Sequence, residues 1–184
     1  MRPTLAAAAL VVLAASEARA DSEKALSGGL GWATFSIPGS GPPMNNQPPP
    51  AVTPDLGGAL SLMYEQMIGS DVGIRAEVAG GLFRGGEGKD QSPTAYAGLA
   101  DAGLVFRFDV LKYVPYAFAG LGVVYTGGGP ITGGLDPVLA IGGGLDILYS
   151  RQYSYGFEGR LASFGGDVTV FTLGIRGTTR WGYF

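Results

Sequence analysis

Residues 152–162 read QYSYGFEGRLA, and the order of these residue types decides the fold class. One set of alternate positions carries mostly large apolar side chains, at Tyr153, Tyr155, Phe157 and Leu161. The set between them is small, polar or charged, with Ser154, Gly156, Glu158, Arg160 and Ala162. A period of two is typical of a β-strand whose two faces meet different surroundings.

The same alternation recurs along the rest of the chain, for example over residues 72–82. It predicts eight strands, at residues 25–36, 57–68, 71–83, 94–108, 113–126, 137–149, 152–164 and 168–183. Strands of soluble domains average about 5–6 residues, whereas a tilted strand needs about 9–11 residues to cross a bilayer. Long and short connections alternate, apart from a short last connection, as in outer-membrane barrels. We therefore predict an all-β fold, an eight-stranded antiparallel up-and-down transmembrane β-barrel.

The composition excludes several function classes. The 184 residues contain no His and no Cys, which excludes disulfides, thiolate or imidazole metal sites and histidine-dependent nucleophiles. We therefore expect no metal and no cofactor. Twelve bases against fifteen acids give a net charge of −3, which argues against nucleic acid as a partner. An apolar fraction of 46% with only 15% charged residues argues against intrinsic disorder.

The first twenty residues, MRPTLAAAALVVLAASEARA, have the three parts of a signal peptide. Arg2 supplies the positive charge, residues 5–15 form an apolar core, and residues 18–20 form a small-x-small cleavage site. The apolar core is much shorter than the about 20 residues that a membrane-spanning helix needs. We expect residues 1–20 to be cleaved on export, which leaves residues 21–184 as one barrel domain in the outer membrane of a Gram-negative bacterium.

The two faces of the predicted strands suggest different environments. The apolar face is expected to meet lipid, and the small and polar face suits the narrow interior of an eight-stranded barrel. Ten charges fall on the interior face, five acids and five bases: Glu65, Arg75, Glu77, Asp101, Arg107, Asp146, Glu158, Arg160, Arg176 and Arg180. Because a buried unpaired charge is costly, we expect them to pair and fill the lumen. The alternatives are an ion path or a catalytic carboxylate pair.

Aromatic residues cluster where the predicted strands meet the short turns. These are Phe106, Phe108, Tyr113, Tyr149, Tyr153, Tyr155, Trp181 and Tyr183. Such a cluster is typical of the girdle that amphipathic rings form at the headgroup level. Trp32, Tyr96, Tyr125 and Phe171 are expected near the opposite rim.

Three segments resemble the small outer-membrane β-barrel family of the OmpA/OmpX and opacity-protein type. They are the Pro-Tyr-led strand VPYAFAGLG at 114–122, the hairpin GGGLDILYSRQYSYGFEGR at 142–160, and the terminal Phe184. The resemblance implies a porin-like barrel whose last strand, ending in Phe184, is read by the barrel-assembly machinery. Enzymes with such barrels typically rely on histidine, which this chain lacks. The resemblance therefore implies a protein that is not an enzyme.

Three functions fit these observations. The first is a non-enzymatic outer-membrane barrel with a structural or surface-interaction role and a lumen plugged by paired charges. The second is a small pore for ions or small solutes. The third is a secreted, lipocalin-like barrel that binds an apolar ligand, against which the lipid-facing stripe and the aromatic girdle argue.

One connection is unusual. Residues 37–56 contain seven prolines, which favour extended or polyproline conformations. This segment is either a plain surface loop or a contact site for a surface partner. The other expected partners are outer-membrane lipid and the assembly machinery, and the chain is expected to be a monomer.

Overall fold

The computed structural model describes residues 23–37, 51–85, 94–108, 112–128, 133–164 and 168–182. These residues form eight strands: β1 (Lys24–Ser36), β2 (Leu56–Met67), β3 (Val72–Arg84), β4 (Thr94–Arg107), β5 (Tyr113–Gly127), β6 (Gly134–Leu148), β7 (Tyr153–Phe164) and β8 (Val168–Trp181). The order agrees with the prediction, and most bounds lie within two residues of it. The largest difference is at β6, which begins at Gly134 because Gly134 still pairs with Thr126 of β5.

Each strand pairs antiparallel with the next, and β1 pairs with β8, so the sheet is a closed barrel. The closing seam runs from Lys24 opposite Trp181 to Ser36 opposite Thr169. Closure gives every strand two neighbours, so no strand has an unpaired edge. In the described part of the chain, no helix is long and apolar enough to cross a membrane.

The two ends of the barrel differ in their connections. Residues 68–71, 108–112 and 149–152 make short links at one end, which we name the turn end. The longer links, 37–55, 85–93 and 128–133, lie at the opposite end together with residues 165–167, and we name it the loop end. The proline-rich link is closed at its base by paired backbone hydrogen bonds between Ile37 and Val52.

The outer wall of the barrel is apolar. Leu60, Leu121 and Ile175 are 63%, 70% and 60% exposed, and each lies at an outward position of its strand. This arrangement is the inverse of a soluble barrel, whose apolar face is buried.

Aromatic rings form a belt at each end of the outer wall. The predicted girdle residues described at the turn end all face outward: Phe106, Phe108, Tyr113, Tyr149, Tyr153, Tyr155 and Trp181. Tyr183 lies outside the described residues. Toward the loop end, Trp32 lies 6.1 Å from Phe171 and Tyr96 lies 6.2 Å from Tyr125, measured between ring centroids. The alternation pattern missed one ring of the turn-end belt, Tyr64, which lies 6.4 Å from Trp181.

The interior face is less uniformly polar than the sequence analysis expected. Near the loop end it is apolar, with the rings of Phe35 and Phe83 5.2 Å apart in an edge-to-face contact. Both side chains are buried and pack with Ala33, Ala59 and Ala95. A second cluster combines Val124, Val138 and Ala162. The lumen therefore has an apolar section near the loop end and a charged section below it.

Candidate functional site

The ten charged residues predicted for the lumen all lie on inward positions of their strands. Nine of them are buried: Glu65, Arg75, Glu77, Asp101, Arg107, Asp146, Arg160, Arg176 and Arg180. The tenth, Glu158, keeps 11% of its side chain exposed. Strand alternation brings them together, because each occupies the same parity as the buried small residues of its own strand.

Two ion pairs cross the barrel between β3 and β7, which lie on opposite sides of it. Arg75 of β3 donates to both carboxylate oxygens of Glu158 of β7, each at 3.0 Å. In the reverse sense, Arg160 of β7 donates to Glu77 of β3. Arg75 also donates to Glu77 at 2.8 Å, so the two pairs form one network. Side chains from opposite walls therefore meet in the middle of the lumen.

Arg176 of β8 is the centre of a second cluster. It makes a bidentate contact with Asp146, at 2.9 Å from Nε and 2.8 Å from Nη2. Its Nη1 donates to Glu65 at 3.1 Å and to Glu158 at 3.4 Å. Arg180 donates to the same Asp146 at 2.9 Å. Bidentate, charge-assisted contacts of this kind fix the positions of both partners.

Near the turn end, Arg107 bridges two carboxylates. It donates to Glu65 in the lumen and, at 2.6 Å, to Glu23. The sequence analysis missed Glu23 because this residue precedes β1. The alternation along the strand could have indicated it, because Glu23 is on the same side as the buried Ala25 and Ser27 when the pattern is extended by one step before β1.

Two aromatic side chains of β5 support the arginines. The guanidinium of Arg75 lies 3.6 Å from the ring centroid of Phe118, and that of Arg176 lies 4.1 Å from that of Tyr116. The Tyr116 hydroxyl also donates to Glu158 at 3.0 Å. These contacts are cation–π interactions, which gain strength when the cation is removed from water. The sequence analysis did not assign Tyr116 or Phe118 to the lumen, although their inward phase in 114–122 was readable.

Asp101 differs from the other lumenal carboxylates. It is buried, yet it makes no ion pair within the described residues, and its Oδ2 has no hydrogen-bond partner there. In register it lies opposite Glu77 of β3, whose carboxylate is held by Arg75 and Arg160. The network thus contains one carboxylate that its arginines leave unpaired.

Two cavities between described side chains in the middle of the lumen are small. A cavity of about 30 Å³ lies beside Phe83, Val124 and Arg160, and another of about 20 Å³ lies beside Met63, Glu158 and Arg176. A volume of this size holds about one water molecule. In the part of the chain that the structure describes, no group of three or more Asp and Glu residues is arranged to hold a metal ion.

Three predicted features lie outside the described residues. They are segment 1–20, for which cleavage is predicted, most of the proline-rich link, and the terminal Phe184.

Comparison with known proteins identifies the architecture. No protein-family model and no curated protein matches the sequence. Among solved structures, the chain is similar to Ail, the attachment invasion locus protein of Yersinia pestis, with 18% identity over 88% of this chain and 99% of that one and a TM-score of 0.61. It is also similar to the Neisserial surface protein A, with 12% identity, 86% and 97% coverage and a TM-score of 0.58.

The same fold includes an enzyme. The outer membrane enzyme PagL is 14% identical over 84% of this chain and 98% of that one, with a TM-score of 0.51. Similarities at these levels of identity show the fold. The chain therefore has the closed eight-stranded antiparallel barrel architecture of small outer-membrane proteins.

Proposed function

We propose that the protein is an integral outer-membrane barrel of a Gram-negative bacterium, without enzymatic activity, whose lumen is plugged and whose role is structural or in surface interaction. The observation that carries this proposal is the pair of ion pairs across the barrel, Arg75 with Glu158 and Arg160 with Glu77. They place side chains in the path that a solute would have to follow. The apolar section around Phe35 and Phe83 narrows the same path near the loop end.

The outer wall supports the membrane location. In a soluble barrel, exposed leucines such as Leu60 and Leu121 would be in contact with water. Exposing apolar surface to water costs about 25 cal/mol of free energy for each Å². In a bilayer the same side chains meet hydrocarbon, and the two aromatic belts match the two interfacial regions. This argument favours the membrane protein over a secreted barrel with an apolar ligand inside.

The proposal of a non-enzymatic role rests on the chemistry of the lumen. The chain has no histidine, and each described lumenal carboxylate except Asp101 is engaged by at least one arginine. A general acid or base must lie within hydrogen-bond distance of its substrate and must have a suitable proton affinity. The short ion pairs leave these carboxylates neither free nor accessible.

Conductance separates the plugged barrel from the small pore. We expect purified protein in planar bilayers to show no steady channels. Arg160→Ala should admit ions because it removes a side chain that crosses the lumen, and Arg84→Ala, at an exposed position of β3, is the matched control. Steady channels from the unmodified protein would overturn the plug and favour the pore.

Heat modifiability tests the membrane barrel itself. The protein, purified in detergent, should migrate faster on a denaturing gel before boiling than after it, because a closed barrel resists the detergent. Folding without detergent, with no shift on boiling, would contradict the membrane location and favour the secreted barrel.

The surface-interaction role is proposed for the proline-rich link, residues 37–56. Ail, a protein of the same fold, is an attachment invasion locus protein by name, which supports a role for the loops in contact with other surfaces. Deleting residues 41–50 should reduce adhesion or phage binding by cells that carry the protein while the gel shift persists. Unchanged adhesion would contradict this role, and loss of the gel shift would indicate a structural role instead.

We also propose that the assembly machinery recognises the last strand through Phe184. Phe184→Ala should lower the fraction of protein in the outer membrane that shows the gel shift. An unchanged fraction would contradict the assignment of Phe184 as the assembly signal.

A further inference from the structure

The lumen opens at the turn end into a cavity of about 360 Å³, which we name the arginine vestibule. Its lining comes from six strands or their ends and from two turns: Glu23, Met67, Ser70, Arg107, Val114, Leu148, Arg151 and Arg180. Small-molecule sites have volumes of about 300–1,000 Å³, apolar walls and a few convergent polar groups. The vestibule has this composition, with Met67, Val114 and Leu148 as its apolar walls.

The charge of the vestibule selects for anions. Three arginines line it against one carboxylate, Glu23; deeper in the lumen Arg107 also contacts Glu65 and Arg180 also contacts Asp146, whereas Arg151 forms no ion pair with a described carboxylate. Lys24 and Lys112 lie at the same end of the barrel, whereas Asp71 is the one further carboxylate there among the described residues. The described loop end carries the opposite balance, with Asp55 and Asp136 against Arg84. An anion is therefore attracted to the turn end of the lumen.

The vestibule already holds a carboxylate from its own chain. Glu23 Oε1 lies 2.6 Å from Nη1 of Arg107 and 3.4 Å from Nε of Arg180. The second contact lacks hydrogen-bond geometry, so the buried Nε of Arg180 has no hydrogen-bond partner among the residues that the structure describes. The side chain of Glu23 is 25% exposed, and it belongs to the residue that precedes β1 rather than to the barrel wall.

Arg151 contributes a third guanidinium group to the lining of the vestibule. It is exposed, lies in the link between β6 and β7, and forms no ion pair with a described carboxylate. Its guanidinium is therefore available to a ligand that also contacts Arg107 and Arg180 in the same cavity. Converging guanidinium groups recognise the oxygens of a phosphate group through paired hydrogen bonds.

We propose that the arginine vestibule binds a phosphate group, with Glu23 as a tethered competitor for the same guanidinium groups. The phosphate is that of a free anion in solution or that of a lipid headgroup at the neighbouring membrane surface. The proposal depends on the barrel alone and is independent of whether the lumen conducts.

The test is calorimetric titration of the full-length protein, purified from membranes in an uncharged detergent, with inorganic phosphate and with dihexanoyl phosphatidylglycerol. We expect saturable binding that chloride does not reproduce. Arg151→Gln should weaken it about tenfold, which corresponds to about 1.4 kcal/mol, because it removes a charged hydrogen-bond donor. Glu23→Gln should strengthen it several-fold, roughly the gain from removing one nearby negative charge.

Arg84→Gln is the matched control, because it removes an exposed arginine at the loop end and should leave binding unchanged. Binding of inorganic phosphate without the lipid analogue would identify the free anion as the ligand. Tighter binding of the lipid analogue than of phosphate, with competition between them, would identify the headgroup. No saturable binding of either probe, or equal weakening by Arg84→Gln and Arg151→Gln, would overturn the proposal. The gel shift of each variant shows independently that its barrel is folded.

Discussion

Arg176 contacts three carboxylates, those of Glu65, Asp146 and Glu158, and lies over the ring of Tyr116. Only about 1% of its side chain is exposed, so water cannot replace these partners. Removing one member of a buried ion network leaves the others charged and desolvated, which costs more than the contacts themselves contribute. At the residue scale, the lumen is therefore sensitive to single substitutions.

We expect Arg176→Met to lower the free energy of unfolding by about 3–5 kcal/mol, because it strands the carboxylate of Asp146 beside a single remaining arginine. Denaturant titration of the protein in lipid vesicles measures this change. Arg84→Met, at an exposed position of β3, serves as the control and should change stability by less than about 0.5 kcal/mol. A loss below about 1 kcal/mol for Arg176→Met would contradict the assignment of Arg176 to the centre of the network.

Asp101 leads to the opposite prediction. Its buried Oδ2 lacks a hydrogen-bond partner among the described residues, so this carboxylate oxygen is desolvated without a compensating hydrogen bond. Asp101→Asn keeps the shape and removes the charge, and it should raise the free energy of unfolding by about 1 kcal/mol. Glu77→Gln, at the paired position of β3, should lower it, because Arg75 and Arg160 both lose a charged partner. Destabilisation by Asp101→Asn in the same titration would refute this reading of Asp101.

At the scale of the element, each strand separates an apolar outer face from a lumenal inner face. On β5 the outward Leu121 is 70% exposed, and its neighbours Gly120 and Gly122 face inward. A shift of one residue in the pairing would exchange these faces along the whole strand. The outer face of β5 is thus specified by its sequence. Its environment can be tested by placing a charge at outward positions that differ in their depth in the proposed bilayer.

Leu121 and Leu135 form a pair for such a depth test. Both are outward and about equally exposed, at 70% and 68%, but Leu121 lies at mid-strand and Leu135 near the loop end of β6. In a bilayer, Leu121→Arg should cost about 2–4 kcal/mol and Leu135→Arg about 0–1 kcal/mol. Unfolding in lipid vesicles gives both values. Equal costs at the two positions would argue against a membrane-spanning wall.

At the scale of the whole molecule, closure depends on the contact between the first and last strands. Gly31 and Gly174 lie opposite each other across the seam of β1 and β8. A side-chain carbon at Gly31 would overlap the carbonyl oxygen of Leu173 and lie 2.6 Å from Cα of Gly174. Glycine at this position therefore allows the two ends of the sheet to approach.

Gly31→Val should reduce the fraction of protein that shows the gel shift, because the two strands cannot approach without backbone displacement. Gly28→Val is the control on the same strand, since a side-chain carbon there would meet nothing within 4 Å. Both substitutions change β-propensity in the same direction. A difference between their folded fractions therefore reports the close contact of β1 and β8 at Gly31. Equal folded fractions would show that the seam tolerates a side chain at Gly31.

The alternation of residue types determined the elements of this barrel and the inward face of its ten charges. The phase of a strand fixes which residues share a face, because successive side chains point to opposite sides. The pattern did not separate the apolar section around Phe35 and Phe83 from the charged section. The sequence analysis assigned aromatic residues only at the strand ends, and the packing of Phe35 against Phe83 depends on neighbours across the lumen.

The sequence by itself determined the number, order and phase of the strands, since these depend on local alternation and on the placement of turns. Tertiary structure alone decided the partners within the lumen. Arg75 meets Glu158 across 83 positions of sequence because β3 and β7 stand on opposite walls of a narrow barrel. It also brought Glu23 from outside the strands to Arg107 and left Oδ2 of Asp101 without a hydrogen bond among the described residues. Such pairings depend on the diameter and register of the closed sheet. Both are properties of the eight strands together, and the sequence pattern of one strand does not determine them.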